Sequence, residues 1–251
     1  MNPLDFTGKT IMVTGASNGI GRATSIYLSR LGARIVAVGR NQTRLDETVA
    51  ALEPNQHRSY AIDLADVEPL PAWMRTVAAD VGPLYGLVHS AGIALTRPLR
   101  VQTYSDYSSI MRINVDAAVM LSKGFRQKGV RDESGSSIVY LSSVAAFTAQ
   151  PGIAAYATSK GALISLARTL GRELAADKVR VNCVCPGHVQ TDMAAQTNET
   201  LPEAQYNALM SRHALGIGTP EDVAYAIAFL LAPAAKWITG TALVIDGGYS
   251  A

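Results

Sequence analysis

The sequence contains very little cysteine, and this limits the kinds of site and stabilisation it can have. Only two of its 251 residues are cysteine, Cys183 and Cys185, and both lie within one apolar segment. A disulfide between residues i and i+2 of a strand has poor geometry, and neither cysteine has companions at metal-ligand spacing. We therefore expect two reduced, buried thiols, no metal site and a cytoplasmic location.

Charge and long apolar runs are also scarce. Charged residues make up 17% of the chain and the formal net charge is +2, so no basic face that would bind nucleic acid is expected. No apolar stretch approaches the ~18 residues that span a bilayer. The start, Met1–Asp5, lacks the basic and apolar regions of a signal peptide. We expect neither a nucleic-acid partner nor a membrane.

The apolar content is high and is distributed in a repeating pattern. Hydrophobic residues make up 48% of the chain, enough for a sizeable core in one domain over residues 1–251. Short β-rich runs predict strands at Thr10–Thr14, Arg34–Val38, Ser59–Ile62, Gly86–His89, Ser137–Leu141, Arg180–Cys185 and Ala242–Ile245. Between them, helical periodicity is clearest in Ile20–Leu31, Asp106–Phe125 and Tyr156–Ala175. Continuously apolar strands favour a parallel sheet covered on both faces. The pattern predicts an α/β fold: a single doubly wound Rossmann-type domain with a seven-stranded parallel sheet and helices on both faces.

A glycine-rich turn joins the first predicted strand to the first helix. It reads Thr14-Gly15-Ala16-Ser17-Asn18-Gly19-Ile20-Gly21, a Gly-x-x-x-Gly-x-Gly spacing. Glycine allows a tight turn and lets phosphate oxygens approach backbone N–H groups at a helix N-terminus, where the helix dipole favours anions. A glycine-rich turn alone is more often a simple loop. The strand–turn–helix context predicts a dinucleotide site formed by Gly15, Ser17, Asn18, Gly19, Ile20 and Gly21.

The end of the second predicted strand indicates which dinucleotide is bound. Folds that hold an unphosphorylated ribose usually place a carboxylate there, whereas this chain reads Gly39-Arg40-Asn41. A carboxylate would repel a 2′-phosphate, but arginine binds one through charge-assisted hydrogen bonds. We therefore predict NADP(H). The alternative is that Arg40 is only a solvated residue at the start of a helix. Asp63 follows the third strand and is expected either to accept from the adenine amino group or to form a turn.

Tyr156 and Lys160 are four positions apart, so on a helix they share one face. An ordinary tyrosine has a pKa near ~10 and is a poor proton donor at neutral pH. A neighbouring ammonium stabilises the phenolate, so we expect Lys160 to lower the pKa of Tyr156. Such pairs also occur by chance on solvated helices. Ser143 lies 13 positions before Tyr156, at the end of an apolar run, where it could simply cap the strand.

Taken together and in order, these motifs resemble the short-chain dehydrogenase/reductase family across essentially the whole chain. The resemblance rests on Thr14–Gly21, Asp63-Leu64, Ser90-Ala91-Gly92-Ile93, Asn114, Ser143, Tyr156 with Lys160, Pro186–Thr191 and Asp246–Gly248. Members of the 3-oxoacyl-(acyl-carrier-protein) reductase type are the most similar. The resemblance implies NADP(H)-dependent reduction of a ketone, such as a 3-oxoacyl thioester, to a secondary alcohol. It also implies a homotetramer or a homodimer whose only other partner is a small carbonyl or alcohol substrate.

The resemblance further implies a role for each site residue. Tyr156 would be the general acid in reduction and the base in oxidation, Lys160 would tune it and bind the nicotinamide ribose, and Ser143 would hydrogen-bond the substrate oxygen. Asn114 would hold a water that links Lys160 to solvent. The alternative is that Asn114 is a core amide whose hydrogen bonds are satisfied by the backbone. Further cofactor contacts are implied for Leu64, Ser90, Ala91, Gly92, Pro186 and Gly187, and Val189 and Thr191 would contact the nicotinamide carboxamide.

Two positions depart from the family pattern. His89 begins the segment His89-Ser90-Ala91-Gly92, where members often have Asn-Asn-Ala-Gly, and no catalytic role is expected for it. Asn18 stands where NADP-preferring members often have a basic residue. The 2′-phosphate would therefore rest mainly on Arg40, helped by Ser17, Asn41 or Arg44.

The pocket and the substrate are less well defined by the sequence. Residues 190–218 are predicted to form a lid, together with Leu95–Leu99 and Ala145–Ile153. An apolar component is predicted from Phe147, Ile153, Met193, Tyr206 and Met210. His188 and His213 are expected at loop or surface positions, and the alternative is that they face the substrate. An NADH-preferring alcohol, sugar or polyol dehydrogenase remains an alternative. A non-catalytic dinucleotide sensor is disfavoured, because Ser143, Tyr156 and Lys160 are all present.

Overall fold

The computed structural model describes residues 2–198 and 203–251. Its strands are β1 Thr10–Thr14, β2 Arg34–Gly39, β3 Arg58–Ala61, β4 Gly86–His89, β5 Ser136–Leu141, β6 Val179–Pro186 and β7 Ala242–Ile245. Its α-helices are α1 Gly19–Arg30, α2 Gln42–Ala50, α3 Leu70–Val81, α4 Tyr104–Met111, α5 Ala117–Phe125, α6 Ala154–Glu173, α7 Asp192–Asn198, α8 Glu203–Ser211 and α9 Pro220–Leu231. All seven predicted strands are present, displaced by at most one residue at either end.

The strands form one parallel sheet in the order β3-β2-β1-β4-β5-β6-β7. The chain builds outward from β1 to β3 and then returns to add β4 to β7 on the other side of β1. This reversal leaves a crevice at the carboxyl ends of β1 and β4, the position where open α/β sheets bind ligands. The predicted doubly wound Rossmann-type fold is confirmed.

The sheet separates two apolar cores. On one face, side chains such as Met12 and Ile138 pack against α3, α5 and α6; on the other, Val13 and Val139 pack against α1, α2 and α9. Successive strand residues point to opposite faces, and both faces are covered, which explains why the strands are apolar throughout. Leu163, Leu166, Leu170 and Leu174 recur at helical spacing along the segment that forms α6. Leu163 and Leu174 lie in the first core and the other two pack against it, so this stripe faces the sheet.

The sequence predicted one continuous helix over Asp106–Phe125, and this prediction is wrong because the helix is interrupted. It begins two residues earlier at Tyr104, because Thr103 and Asp106 form a capping box. A π turn at Arg112–Asp116 then separates α4 from α5. Such turns insert one residue into a helix and are frequent at functional sites, and this one contains Asn114.

Two other helices differ slightly from their predicted ends. Helix α1 begins at Gly19, since the side chain of Asn18 accepts from the Gly19 N–H. Helix α6 begins two residues before Tyr156 and ends at Glu173. A 3-10 turn and the left-handed Lys178, with φ of 58°, then direct the chain into β6. No helix in the described part of the chain combines the length and apolar character needed to cross a membrane.

Candidate functional site

A cavity of about 500 Å³ lies at the carboxyl ends of the central strands. It runs from the turn after β1 to the loop after β6, so it occupies the crevice that the topology creates. Most residues predicted from the sequence line it: Gly15, Ser17, Asn18, Gly19, Ile20, Gly21, Gly39, Arg40, Asp63, Leu64, Ser90, Ala91, Gly92, Ser143, Tyr156, Lys160, Pro186, Gly187, Val189 and Thr191. Asn41 and Asn114 are the predicted site residues that do not.

The glycine turn leaves no space for side chains. A Cβ on Gly15, whose φ is 67°, would lie 2.8 Å from the amide nitrogen of Ala91, and a Cβ on Gly21 would overlap the carbonyl oxygen of Gly15. The hydroxyl of Thr14 accepts from the Ala91 N–H at 3.1 Å, which joins the ends of β1 and β4. The cavity wall is therefore bare backbone at the N-terminus of α1. This suits the pyrophosphate of a dinucleotide.

Asn18 connects this turn to the start of the lid. Its Oδ1 accepts from the Gly19 N–H at 2.6 Å, and its Nδ2 donates to Oδ2 of Asp192 at 2.5 Å. Sequence reasoning did not find Asp192. Its one signal was its position directly after the predicted contact Thr191.

The opposite end of the cavity is bounded by Gly39, Arg40 and Asp63. A Cβ on Gly39 would lie 3.3 Å from both Oγ of Ser17 and a methyl group of Leu45, so a larger residue would crowd this wall. Arg40 is exposed beside it. Asp63 accepts from the Ala65 N–H at 3.0 Å, so it forms the alternative turn as well as lining the cavity. These residues leave a cationic group and no carboxylate at the end of β2.

Asn41 is not brought to the cavity wall. Its Oδ1 accepts from the Arg44 N–H at 3.0 Å and caps helix α2. Asparagine is among the best N-cap residues, and this local hydrogen bond accounts for its position.

Tyr156 and Lys160 share the face of α6 that borders the cavity, as predicted. The ammonium of Lys160 lies 5.4 Å from the centroid of the Tyr156 ring and donates to the carbonyl oxygen of Leu141 at 2.7 Å. Burial lowers the pKa of Lys160 to about 8. The lysine is therefore still mainly charged at neutral pH.

The expected lowering of the Tyr156 pKa is not what the structure gives. Desolvation by the cavity walls raises the pKa of Tyr156 above its ordinary value, and a hydrogen bond with Ser143 opposes this without reversing it. Removal from water disfavours the phenolate, and Lys160 directs its ammonium to a backbone carbonyl. Tyr156 is consequently a neutral phenol at pH 7. That is the form in which it can give a proton.

The two serines after β5 have separate tasks. Ser142 is buried and donates to the carbonyl oxygen of Lys160 at 2.8 Å, which fixes α6 against the end of the strand. Ser143 lines the cavity, and its Oγ accepts from the Ala145 N–H at 3.1 Å. That bond orients the Ser143 hydroxyl toward Tyr156, so the capping and site interpretations both describe Ser143.

Asn114 is fully buried in the π turn, and its side chain is satisfied as the alternative interpretation expected. Its Oδ1 accepts from the Ile93 N–H at 2.9 Å, and its Nδ2 donates to the Ile93 carbonyl at 3.0 Å and to Oγ of Ser159 at 2.9 Å. A Cβ on Gly92 would lie 3.1 Å from this Oδ1 and 3.5 Å from Nζ of Lys160. The Asn114 side chain thus positions the Gly92–Ile93 backbone next to Lys160. The water between Lys160 and solvent stays a prediction.

His89, the last residue of β4, is buried. Its Nδ1 lies 3.2 Å from the Thr14 hydroxyl, and its Nε2 has no hydrogen-bond partner among the described residues. Burial and then the charge of Lys160 lower the pKa of His89 to about 4. His89 is therefore a neutral packing residue at physiological pH, in agreement with the absence of a predicted catalytic role.

Only some of the residues predicted to form the lid of the pocket line the cavity. Of the proposed apolar residues, Ile153 and Met193 line the cavity together with Leu209; Phe147, Tyr206 and Met210 do not, and Phe147 is 52% exposed. The loops after β4 and β5 add polar groups, Thr96, Thr148 and Gln150. Residues 199–202 of the predicted lid lie outside the described residues. Within the described ranges, no cluster of three His, Cys, Asp or Glu side chains is placed to hold a metal ion.

Both loop histidines line the cavity as well. His188 is half-buried, but His213 is only 6% exposed, so the expected surface position is wrong for His213. Its contacts come from segments that are distant in sequence, which is why no local pattern revealed them.

Comparisons with known proteins agree with this geometry. A family model described as enoyl-(acyl carrier protein) reductase matches residues 15–250. The 3-oxoacyl-(acyl-carrier-protein) reductase of Rickettsia prowazekii is 34% identical over 247 residues, which cover 98% of each chain. A dehydrogenase/reductase of Sinorhizobium meliloti 1021 superposes with a TM-score of 0.88 at 34% identity, over 99% of this chain and 98% of that one. A putative NAD(P)-dependent gluconate 5-dehydrogenase from Beutenbergia cavernae, solved with bound NADP, superposes with a TM-score of 0.89 at 31% identity, over 99% of each chain.

Proposed function

The chain belongs to the short-chain dehydrogenase/reductase family of oxidoreductases, and we propose that it is an NADPH-dependent reductase that converts a ketone to a secondary alcohol. The observation that carries this proposal is the convergence of Ser143, Tyr156 and Lys160 in one cavity with the glycine turn. A protein that only sensed dinucleotides would have no need of this group.

The groups at this site suit ketone reduction. NADPH, when bound, would supply a hydride, and the substrate carbonyl oxygen would then need a hydrogen-bond donor and a proton. The Ser143 hydroxyl serves as the donor, and the Tyr156 phenol, whose pKa is raised by burial, gives the proton. Lys160 keeps a positive charge near the resulting phenolate and binds the nicotinamide ribose.

The end of β2 supports NADP(H) over NAD(H). Because residue 39 is glycine, the end of β2 carries no carboxylate, and Arg40 offers a guanidinium to a 2′-phosphate. The structural relative from Beutenbergia cavernae was solved with NADP. An NADH preference would instead favour the alternative of an alcohol, sugar or polyol dehydrogenase.

For the substrate, we propose a 3-oxoacyl thioester or a similar ketone. The relative from Rickettsia prowazekii carries the name of a 3-oxoacyl-(acyl-carrier-protein) reductase, and Ile153, Met193 and Leu209 give the cavity an apolar side. Thr96 and Gln150 line the same cavity and favour a hydroxylated ketone of the sugar-acid kind as the second candidate.

We also propose a homotetrameric or homodimeric assembly in the cytoplasm. The described surface exposes apolar side chains on α4 and α5, at Tyr104 and Val119, and on α9 and β7, at Phe229 and Val244. An assembly through these elements would remove them from water. Cys183 and Cys185 are both buried and reduced, which suits that compartment.

The test is Tyr156→Phe, measured by NADPH oxidation with acetoacetyl thioesters, sugar-acid ketones, cyclic ketones and diketones. We expect kcat to fall at least ~100-fold, the contribution of a positioned general acid, while NADPH binding changes little. Tyr60→Phe is a matched control: it removes a phenol that donates to Asp80 at 2.6 Å, away from the cavity. Equal turnover by wild type and Tyr156→Phe would overturn the mechanism. Turnover only of non-thioester ketones would exclude the thioester assignment.

A further inference from the structure

His213 lies where three segments of the chain meet at the edge of the cavity. Its Nε2 accepts from the backbone N–H of His188 at 3.0 Å, and its Nδ1 lies 3.1 Å from the carbonyl oxygen of Leu209 near the end of α8. The ring stacks on Tyr249 in the C-terminal segment, with centroids 4.7 Å apart. One buried imidazole therefore joins the loop after β6, the lid helix and the C-terminus.

These two hydrogen bonds define the protonation state of the ring. A backbone N–H only donates, so Nε2 must be unprotonated; a carbonyl oxygen only accepts, so Nδ1 must carry the proton. The neutral Nδ1–H tautomer satisfies both partners. A second proton would place an N–H on Nε2 against the N–H of His188 and would break this bond.

Backbone hydrogen bonds also fix the loop that His213 holds. The Gly187 N–H donates to the Ile245 carbonyl at 3.0 Å, and the Gln190 N–H donates to the Gly218 carbonyl at 2.9 Å. Between them, the His188 amide relies on a side chain. A Cβ on Gly187 would lie 2.9 Å from Cα of Asp246 and 3.0 Å from Nε2 of His213, so the loop is closely confined.

Charged and titratable groups approach His213 from each of its neighbours. The carboxylate of Asp246, which accepts from the Ser250 N–H at 2.8 Å, lies on the C-terminal side. The guanidinium of Arg212 lies 4.1 Å from the centroid of the Tyr249 ring. The centroid of the His188 ring lies 6.3 Å from that of His213, and burial lowers the pKa of His188.

We propose that His213 is a positioning residue that holds the loop of residues 186–191 against the end of helix α8, and that it does so only as the neutral Nδ1–H imidazole. The inference rests on the proposed function in one respect: this loop is the one expected to contact the nicotinamide. Loss of this imidazole would release the His188 amide, loosen the loop and weaken cofactor binding, for a reason separate from the chemistry at Tyr156.

Three variants test this. His213→Phe keeps a ring to stack on Tyr249 but removes both polar contacts, and His213→Gln restores an acceptor and a donor without titrating. The matched control is His57→Phe: that imidazole accepts from the Ile35 N–H at 2.9 Å and bonds the Glu53 carbonyl at 2.6 Å, but it lies away from the cavity. The measurements are deuterium uptake by residues 186–191, the Kd of NADPH by fluorescence, and kcat and KM for the ketone.

We expect His213→Phe to increase deuterium uptake in the loop and to weaken NADPH binding about tenfold, as for loss of a bond to a buried amide. His57→Phe should lower the thermal midpoint and leave both quantities unchanged. His213→Gln regains an acceptor and a donor, so it should recover part of the loop protection and of the NADPH affinity that His213→Phe loses.

If His213→Phe keeps the loop deuterium uptake and the NADPH affinity of the wild type, the inference is overturned, whatever the kcat of the variant. Wild-type loop exchange in His213→Leu, which also lacks both polar contacts, would overturn it even if His213→Phe does not fold. If no ketone is reduced but loop exchange and NADPH binding change as expected, the proposed function fails and the role of His213 stands.

Discussion

The assignment of NADPH makes a quantitative prediction for Arg40→Ala. The arginine is exposed at the end of β2 and borders the cavity beside Gly39, and Asp63, after β3, bounds the same end of the cavity. Its replacement should leave the fold intact, because surface substitutions of this kind usually change stability by less than ~0.5 kcal/mol. The effect should therefore appear in cofactor selection.

The size of the effect follows from the exposure of Arg40. A hydrogen bond to a charged group contributes ~1.5–3 kcal/mol, and solvent screening at an exposed site favours the lower end of that range. Since ~1.4 kcal/mol corresponds to a factor of ten, kcat/KM for NADPH should fall about tenfold. NADH lacks the 2′-phosphate, so its kcat/KM should stay within about twofold.

The assay compares kcat/KM for NADPH and NADH with one ketone at low and high salt. NADH is the internal control, and Arg30→Ala, at the exposed end of α1, controls for the loss of one positive charge. Added salt should reduce the NADPH preference of the wild type more than that of Arg40→Ala. An equal fall for both cofactors, or no fall for either, would refute the reasoning and leave Arg40 as a solvated helix-start residue.

Three further predictions concern the site and its frame. Because burial lowers the pKa of Lys160 to about 8, the lysine loses its charge as the pH rises through that value. The kcat/KM should therefore decline above pH 8. A kcat/KM that continues to rise up to pH 10 would contradict this. Gly15→Ala places a methyl group 2.8 Å from the Ala91 nitrogen at a φ of 67°, so a fluorescence titration should find NADPH binding lost and a thermal melt should find a lower midpoint. Thr103→Ala removes the capping box shared with Asp106 and should lower the free energy of unfolding in urea by about 1 kcal/mol, with NADPH affinity unchanged.

The sequence predicted the features that depend on local pattern. The strands follow from runs of apolar residues, and the glycine turn follows from its place between a strand and a helix. The positions of Tyr156 and Lys160 on one face of α6 follow from the helical repeat. Gly15 and Gly21 are required by the close approach of backbone, which is a local property of the turn.

The remaining features depend on contacts between distant residues. The bond from Asn18 to Asp192 joins positions 174 apart in sequence, and His213 is buried by segments that no local periodicity links. The pKa of Tyr156 was expected to fall because only its neighbour Lys160 could be considered; the desolvation that raises it is a property of the whole cavity. The π turn at Asn114 is likewise set by the fit of the Asn114 amide to Ile93.

The separation of the two cores by the sheet has an evolutionary consequence. Helices α1 and α2, which flank the glycine turn and Arg40, pack on one face, whereas α6, which carries Tyr156, packs on the other. A change in side-chain volume on one face is accommodated mainly by its contacting neighbours. Dinucleotide preference and proton chemistry can therefore diverge independently among descendants of one ancestral chain, each through substitutions in its own layer.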